Sequence, residues 1–238
     1  MSALRLLALD TATDQLAVAV VAGEREWCGQ EAGGARASQR LLPLVFELLQ
    51  AAGLQAAHID AVAFGRGPGA FTGLRTATAV AQGLALGIGC TVLPIDSLMI
   101  VAEDARVRHG ASALWVVMDA RMDEVYAGAY RYESGAWQVQ REGALLTLPA
   151  LHDLWQSDPP QAVAGSALAA FGARLPCGGA RRLDDAGDDR AAPLARLARA
   201  AWARGEAIDA AQALPLYLRD KVALTTAERS ALRAAATP

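Results

Sequence analysis

Two aspartate pairs at one spacing are the first residues in this chain that suggest chemistry. Asp10 and Asp14 follow the apolar run Leu7-Ala8-Leu9, and Asp119 and Asp123 follow Val116-Val117-Met118. Carboxylates held at strand ends can orient a hydrated metal ion and, across a cleft, flank a phosphate chain. Backbone N–H groups approach phosphate closely only where side chains are small, so glycine is the expected companion. Neither loop has one: the first reads Asp10-Thr11-Ala12-Thr13 and the second Asp119-Ala120-Arg121-Met122. Asp10, Thr11, Thr13, Asp119 and Arg121 therefore read as a vestigial phosphate site. Arg121 is expected to fill the place of a phosphate or to pair with Asp119 or Asp123, and strong independent ATP hydrolysis is not expected.

The densest glycine signal is Gly65-Arg66-Gly67-Pro68-Gly69-Ala70-Phe71-Thr72-Gly73-Leu74-Arg75. It is not a Walker A loop, because no Gly-Lys-Ser/Thr follows and Lys221 is the only lysine in the chain. Gly65, Gly67 and Ala70 fit only the loose dinucleotide fingerprint, and Pro68 stiffens a loop that does not belong to an opening βαβ unit. Gly65, Gly67, Gly69 and Gly73 read instead as a structural strand-to-helix turn, whose helix N-terminus would still favour an anion. His58, His109 and His152 are scattered without a second ligand at metal spacing, so no metal site is expected. No Ser-His-Asp set stands out, since a triad is defined by geometry.

These loops need elements to hold them. Short apolar runs predict strands over 4–10, 16–21 and 24–30, with Gly23 available for the second turn. Leu41, Leu42, Val45, Leu48 and Leu49 fall at helical spacing within 38–52, and Gly53 is a stop signal. A strand over 59–64, a helix over 72–87 and a strand over 91–95 follow, giving βββαβαβ. The second half restarts the first: a strand ending at Asp119, a turn containing Asp123, an alternating strand over 125–132, and Trp137 in the place of Trp27. Duplicated lobes facing each other across a cleft are expected, an α/β, actin-like (ribonuclease H-like) fold. The N-terminal lobe is placed at 1–108, with a helix over 193–205 returning to it, the smaller C-terminal lobe at 109–224, and a tail at 225–238.

Gly69, Gly73, Ala77, Ala81 and Ala85 recur every four residues, so the second helix presents a face of almost no bulk. With Leu41, Leu42 and Val45 of the preceding helix and Leu74, the residues Ala77, Ala81 and Ala85 are expected to form a subunit interface, for a paralogous subunit or a second copy of the chain. The alternative is that the stripe covers the lobe's own sheet. Composition narrows the setting: 238 residues, 53 % of them hydrophobic, contain no apolar run long enough to cross a membrane and no signal-peptide pattern. Three dispersed cysteines, Cys28, Cys90 and Cys177, argue against a disulfide framework, and a reducing cytosol is the expected compartment. A net charge of −3 lacks the basic footprint of a nucleic-acid binder, so any RNA is expected to be held by a partner.

The strings Leu7-Ala8-Leu9-Asp10-Thr11-Ala12-Thr13, Ser38-Gln39-Arg40-Leu41-Leu42-Pro43 and the glycine-rich segment together resemble the TsaB (YeaZ) family. Ala81-Gln82-Gly83-Leu84-Ala85, the run from Met118 to Tyr126, and Pro215-Leu216-Tyr217-Leu218-Arg219 extend the resemblance over nearly the whole chain. It implies a non-catalytic subunit supporting N6-threonylcarbamoyladenosine formation in tRNA, at the adenosine after the anticodon. The implied partners are a TsaD-type catalytic subunit and a TsaE-type ATPase, with tRNA reached indirectly, a homodimer when the chain is alone, and threonylcarbamoyl-adenylate as donor. No intrinsic cofactor is implied; ATP or ADP would be held weakly or at a composite subunit interface. Two departures stand out. Arg36-Ala37-Ser38 lies where a His often precedes the Ser, and Asp96-Ser97-Leu98 lies where the catalytic paralogue would carry a metal-binding His cluster. One carboxylate and one hydroxyl do not replace imidazole donors. An actin-fold ATPase or kinase and a metallopeptidase-like enzyme stand as alternatives; the first needs glycine in the Asp loops, the second a metal cluster.

Overall fold

The computed structural model describes residues 3–219. Strands β1 (Arg5–Asp10), β2 (Gln15–Ala22) and β3 (Arg25–Ala32) form an antiparallel meander. Strands β4 (Ala61–Gly67) and β5 (Thr91–Asp96) add in parallel beside β1, giving the order β3-β2-β1-β4-β5. The second half repeats this with β6 (Ala113–Arg121), β7 (Glu124–Glu133), β8 (Ala136–Thr147), β9 (Ala162–Ala164) and β10 (Arg181–Leu183), in the order β8-β7-β6-β9-β10 and with the same relative directions. Helices α1 (Ala37–Ala51), α2 (Phe71–Ile88) and α3 (Ser97–His109) correspond in chain position to α4 (Leu148–Ser157), α5 (Ala167–Phe171) and α6 (Ala191–Ala203). Each half therefore runs βββαβαβα, and the molecule is a duplicated, two-lobed α/β structure of the actin-like (ribonuclease H-like) kind.

The strand pattern explains the layering. In β1, Leu7 and Leu9 face the core beneath α1 and α2, while Leu6 and Ala8 face the core on the opposite side. A strand covered on both faces must be apolar at every position, which is why β1 reads as a run and not as an alternation. The Leu41, Val45 and Leu49 stripe of α1 and the alanines of α2 close one face of the first sheet. Helices α2 and α3 end on Gly89 (φ 82°) and Gly110 (φ 65°), left-handed positions that suit glycine.

The last helix of each half is exchanged. Leu194, Leu197, Ala198 and Ala201 of α6 pack against Leu6, Ala8, Ala61 and Ala63 of the first sheet. Leu98, Val101, Ala102 and Ala105 of α3 pack against Val116, Met118, Tyr126 and Tyr130 of the second. Buried Glu103 joins the two helices: it accepts from Arg196 of α6 at 3.0 Å, from Arg106 at 2.7 Å and from the Trp137 indole at 2.9 Å. After α6 the chain stays on the first lobe, where Ile208 bridges Val92, and Ala210 and Ala213 join its core. Residues 206–213 thus lie on the first lobe, a correction to a second lobe running to 224. The cause is the apolar face of α6, which carries the chain back across the sheet. The 225–238 tail and Lys221 fall outside the described residues, among which no helix is long and apolar enough to cross a membrane.

Candidate functional site

The first Asp loop lies directly on the start of α2. The Thr11 hydroxyl donates to the Gly73 carbonyl at 2.7 Å, and the Ala70 N–H donates to the Ala12 carbonyl at 2.8 Å. A Cβ at Gly73 would be driven into the Thr11 carbonyl oxygen, one at Gly69 into that of Ala12, and one at Gly65 into the Asp10 carboxylate. Gly67 has φ 116°, and a Cβ there would lie 2.7 Å from the Leu216 carbonyl oxygen. The four glycines thus let segments of this chain approach one another. The Ala70 amide, at the N-terminus of α2 where an anion would sit, is taken up by Ala12.

Asp10 itself is fully buried, and its charge is already matched. Its Oδ2 accepts from Arg190 Nε at 2.8 Å, and both side chains are almost wholly shielded from water. Ser97 Oγ lies 3.4 Å from the other oxygen and accepts the Gly67 N–H at 3.1 Å, while a second Arg190 nitrogen donates to the Ser97 carbonyl at 3.3 Å. A buried carboxylate needs such a partner, because desolvation of an unpaired charge is expensive. Asp10 is therefore not one of two carboxylates facing each other over open space; Arg190 is interposed between it and the cleft. Sequence reading missed Arg190 and weighed Ser97 only against metal ligands, since Arg190 stands beside Asp188 and Asp189, where it resembles surface charge, and its partner is 180 residues away.

The second loop is built differently. Asp119 accepts the Arg121 N–H at 2.8 Å and pairs with its guanidinium at 3.2 Å, and Arg121 reaches Asp14 of the first lobe at 3.5 Å. Asp123 pairs instead with Arg174 at 2.9 Å. Arg121, Met122 and Asp123 have φ of 65°, 58° and 58°, a conformation L-residues avoid. Thr13 is occupied locally, its hydroxyl accepting the Gln15 N–H at 3.1 Å. Ser166, also missed, accepts the Asp119 N–H at 3.1 Å, and the preceding Gly165 has φ 111° with no room for a Cβ beside the Val117 carbonyl. The run Val163-Ala164-Gly165-Ser166 repeats the strand-then-glycine order of Ala63-Phe64-Gly65-Arg66, a signal that could have found it.

Between the lobes lies a cavity of about 760 Å³ whose polar lining includes the carboxylates Asp14, Asp119, Asp184 and Asp188. Its three arginines are already engaged: Arg121 with Asp119, Arg190 with Asp10, and Arg219 with Glu124 at 2.6 Å. A nucleotide with its metal ion, the group this fold class implies, does not fit these residues. The strand-end carboxylate Asp10 is ion-paired with Arg190, the Ala70 amide is bonded to Ala12, and the lining carries four carboxylates where phosphate would need free cations. At the end of β5, Asp96 caps α3 by accepting the Leu98 N–H at 2.7 Å and accepts the Tyr130 hydroxyl at 3.1 Å. Burial pushes the Asp96 carboxyl above its usual range, outweighing those bonds and the nearby Arg66 charge. Burial, together with Asp96, also pushes the Tyr130 phenol up. The end of β5 thus carries a helix cap followed by a hydroxyl bonded to Asp10. Among the described residues, no three His, Cys, Asp or Glu side chains are grouped to hold a metal ion.

The interface expectation needs correcting at six positions. Leu41, Val45, Leu74, Ala77, Ala81 and Ala85 are all buried in this chain, at most 1 % exposed, and all but Leu74 belong to the core of the first sheet. The bulk-free stripe lets α2 sit close to its own sheet. Leu42 stays at the surface, joined by Phe46 one turn on (52 % exposed) and by Leu86 of α2 (62 %).

A family model described as "TsaD: tRNA N6-adenosine threonylcarbamoyltransferase" matches residues 31–160. The "tRNA threonylcarbamoyladenosine biosynthesis protein TsaB" of Escherichia coli (strain K12) is 38 % identical over 159 residues, 64 % of this chain and 67 % of that protein. The protein of the same description from Haemophilus influenzae is 43 % identical over 127 residues, 53 % of each. A crystal structure of an uncharacterized protein with similarity to peptidase YEAZ, from Pseudomonas aeruginosa, superposes with a TM-score of 0.83 at 40 % identity, covering 92 % of this chain and 100 % of that one. Given the shared fold and these identities, the chain belongs to the TsaB (YeaZ) family.

Proposed function

We propose that the chain is a non-catalytic subunit in the biosynthesis of N6-threonylcarbamoyladenosine in tRNA, working in the cytosol by binding and supporting a TsaD-type catalytic subunit. The observation that carries the non-catalytic part is the Arg190–Asp10 pair at 2.8 Å, which neutralises the strand-end carboxylate and puts a guanidinium where a metal-bound phosphate would approach. The partner is read from the outer faces of α1 and α2, neighbours on one face of the first sheet, where Leu42, Phe46 and Leu86 offer exposed apolar contact. When no partner is present, the same surface suits a second copy of the chain. With a net charge of −3, tRNA is reached through the partner, and a TsaE-type ATPase joins the assembly.

Reconstitution tests this. The isolated chain, given threonylcarbamoyl-adenylate and tRNA, is expected to form no product, and addition of the TsaD-type subunit with the TsaE-type ATPase and ATP is expected to yield it. Product from the isolated chain would overturn the reading. Phe46→Asp with Leu86→Asp is expected to abolish co-purification of that subunit at an unchanged melting temperature; undiminished binding would move the interface elsewhere. Nucleotide titration of the isolated chain checks the ATPase or kinase alternative, for which tight binding would count.

A further inference from the structure

Three segments that stood out in the sequence meet at one place. The backbone of the segment 214–219 docks on the glycine-rich strand end, where the Leu216 N–H donates to the Arg66 carbonyl at 2.7 Å and its own carbonyl occupies the space a Cβ at Gly67 would need. Tyr217 then packs at a tilt against Phe71, ring centres 5.2 Å apart, and its hydroxyl accepts from Arg75 Nε at 3.1 Å while the Arg75 guanidinium lies 3.9 Å from the Phe71 ring centre. On the other lobe, Leu218 packs into the core of the second sheet. Arg219 donates to the Ala120 carbonyl at 3.0 Å and the Arg121 carbonyl at 3.4 Å, and pairs with Glu124 at 2.6 Å. Those carbonyls belong to the loop whose residues Arg121, Met122 and Asp123 are left-handed.

We propose that residues 214–219 are a built-in clamp that holds the two lobes at one separation, with the glycine-rich segment and the second Asp loop as its two seats. A terminal segment merely passing over the cleft would need neither a glycine cleared for its backbone nor a guanidinium on the carbonyls of a strained turn. The clamp holds each seat by polar bonds, and each seat belongs to a different lobe. Lobe separation is then fixed by the chain itself, in place of a ligand bound in the cleft.

Hydrogen exchange on the full chain tests the coupling. In Arg219→Met, the amides of 120–124 are expected to exchange at least about tenfold faster, the scale of losing a charge-assisted hydrogen bond. The decisive reading is at the far seat: Leu216 N–H and the amides of 66–75 should also speed up. Tyr217→Phe, which loses only the bond to Arg75, is expected to act in reverse and loosen 120–124, and it keeps the test open if Arg219→Met does not fold. Small-angle scattering should show a larger radius of gyration for Arg219→Met. If each variant loosens only its own seat and the radius is unchanged, the clamp is refuted.

Discussion

Arg190→Met removes a guanidinium from a place where its partner has no water to turn to. Asp10 is 0 % exposed; without the 2.8 Å bond from Arg190 its carboxylate would keep only the Ser97 hydroxyl at 3.4 Å, and the Ser97 carbonyl would lose its 3.3 Å donor. Removing one member of a buried ion pair costs about 3–5 kcal/mol, chiefly because the remaining charge is stranded. That is a large part of the roughly 5–15 kcal/mol by which domains are stable. At about 2–4 °C per kcal/mol for a chain of this size, the melting temperature should fall by about 6–20 °C. Urea titration is the assay, with a lower midpoint at an unchanged slope marking a loss of stability alone. The double variant Asp10→Asn, Arg190→Met removes both charges and is expected to recover most of the loss, since apolar or neutral replacement of a whole buried pair is often close to neutral. If Arg190→Met stays within about 1 kcal/mol of the parent, or the double variant is no more stable than the single, Asp10 is not held by Arg190 in the way described.

Further outcomes follow from the packing and the charges. Ala81→Leu adds bulk where α2 meets its own sheet and should cost about 1–3 kcal/mol, seen as a lower melting temperature, with partner affinity unchanged below it; weakened binding by a stable variant would return Ala81 to the interface. Gly73→Ala should prevent folding or shift the urea midpoint far down, because its Cβ meets the Thr11 carbonyl. Gly83→Ala, on the same helix with nothing within 4 Å, should stabilise by about 0.5–1 kcal/mol; equal effects at both positions would contradict the close approach. For Glu103, burial pushes the pKa up, but the bonds from Arg106 and Trp137 and the charges of Arg106 and Arg196 outweigh it, leaving the carboxyl below its ordinary value. Its contribution to stability is therefore complete above the ordinary glutamate pKa of about 4.3 and is lost as pH falls through the lower folded value. Glu103→Gln should be less stable at pH 7 and flatter in the acid limb of its stability curve, and parallel curves for variant and parent would refute this.

Sequence by itself determined the repeat, the layer class and the family. Strand-length apolar runs, the two Asp pairs at one spacing and the turn glycines depend on local geometry, so the βββαβαβ order and the restart near Val116 could be read without coordinates of any kind. The absence of glycine from both Asp loops was equally legible, and it bears on why the cleft does not fit a phosphate. Only tertiary structure decided what occupies that place. Arg190 reaches Asp10 over 180 residues because α6 is exchanged onto the first sheet, and no local pattern records an exchange between halves. The same limit misdirected the alanine stripe of α2. Small residues every four positions signal a close neighbour, but they do not say whether that neighbour is another subunit or the chain's own sheet, because the steric requirement is the same for both. Burial at Ala77, Ala81 and Ala85 settled it for the sheet and left Leu42, Phe46 and Leu86 outside. The glycine-rich segment and the Pro215–Arg219 run looked like separate motifs for the same reason: each is locally a turn or a loop, and only the fold brings the Leu216 amide to Arg66 and the Arg219 guanidinium to the Arg121 loop.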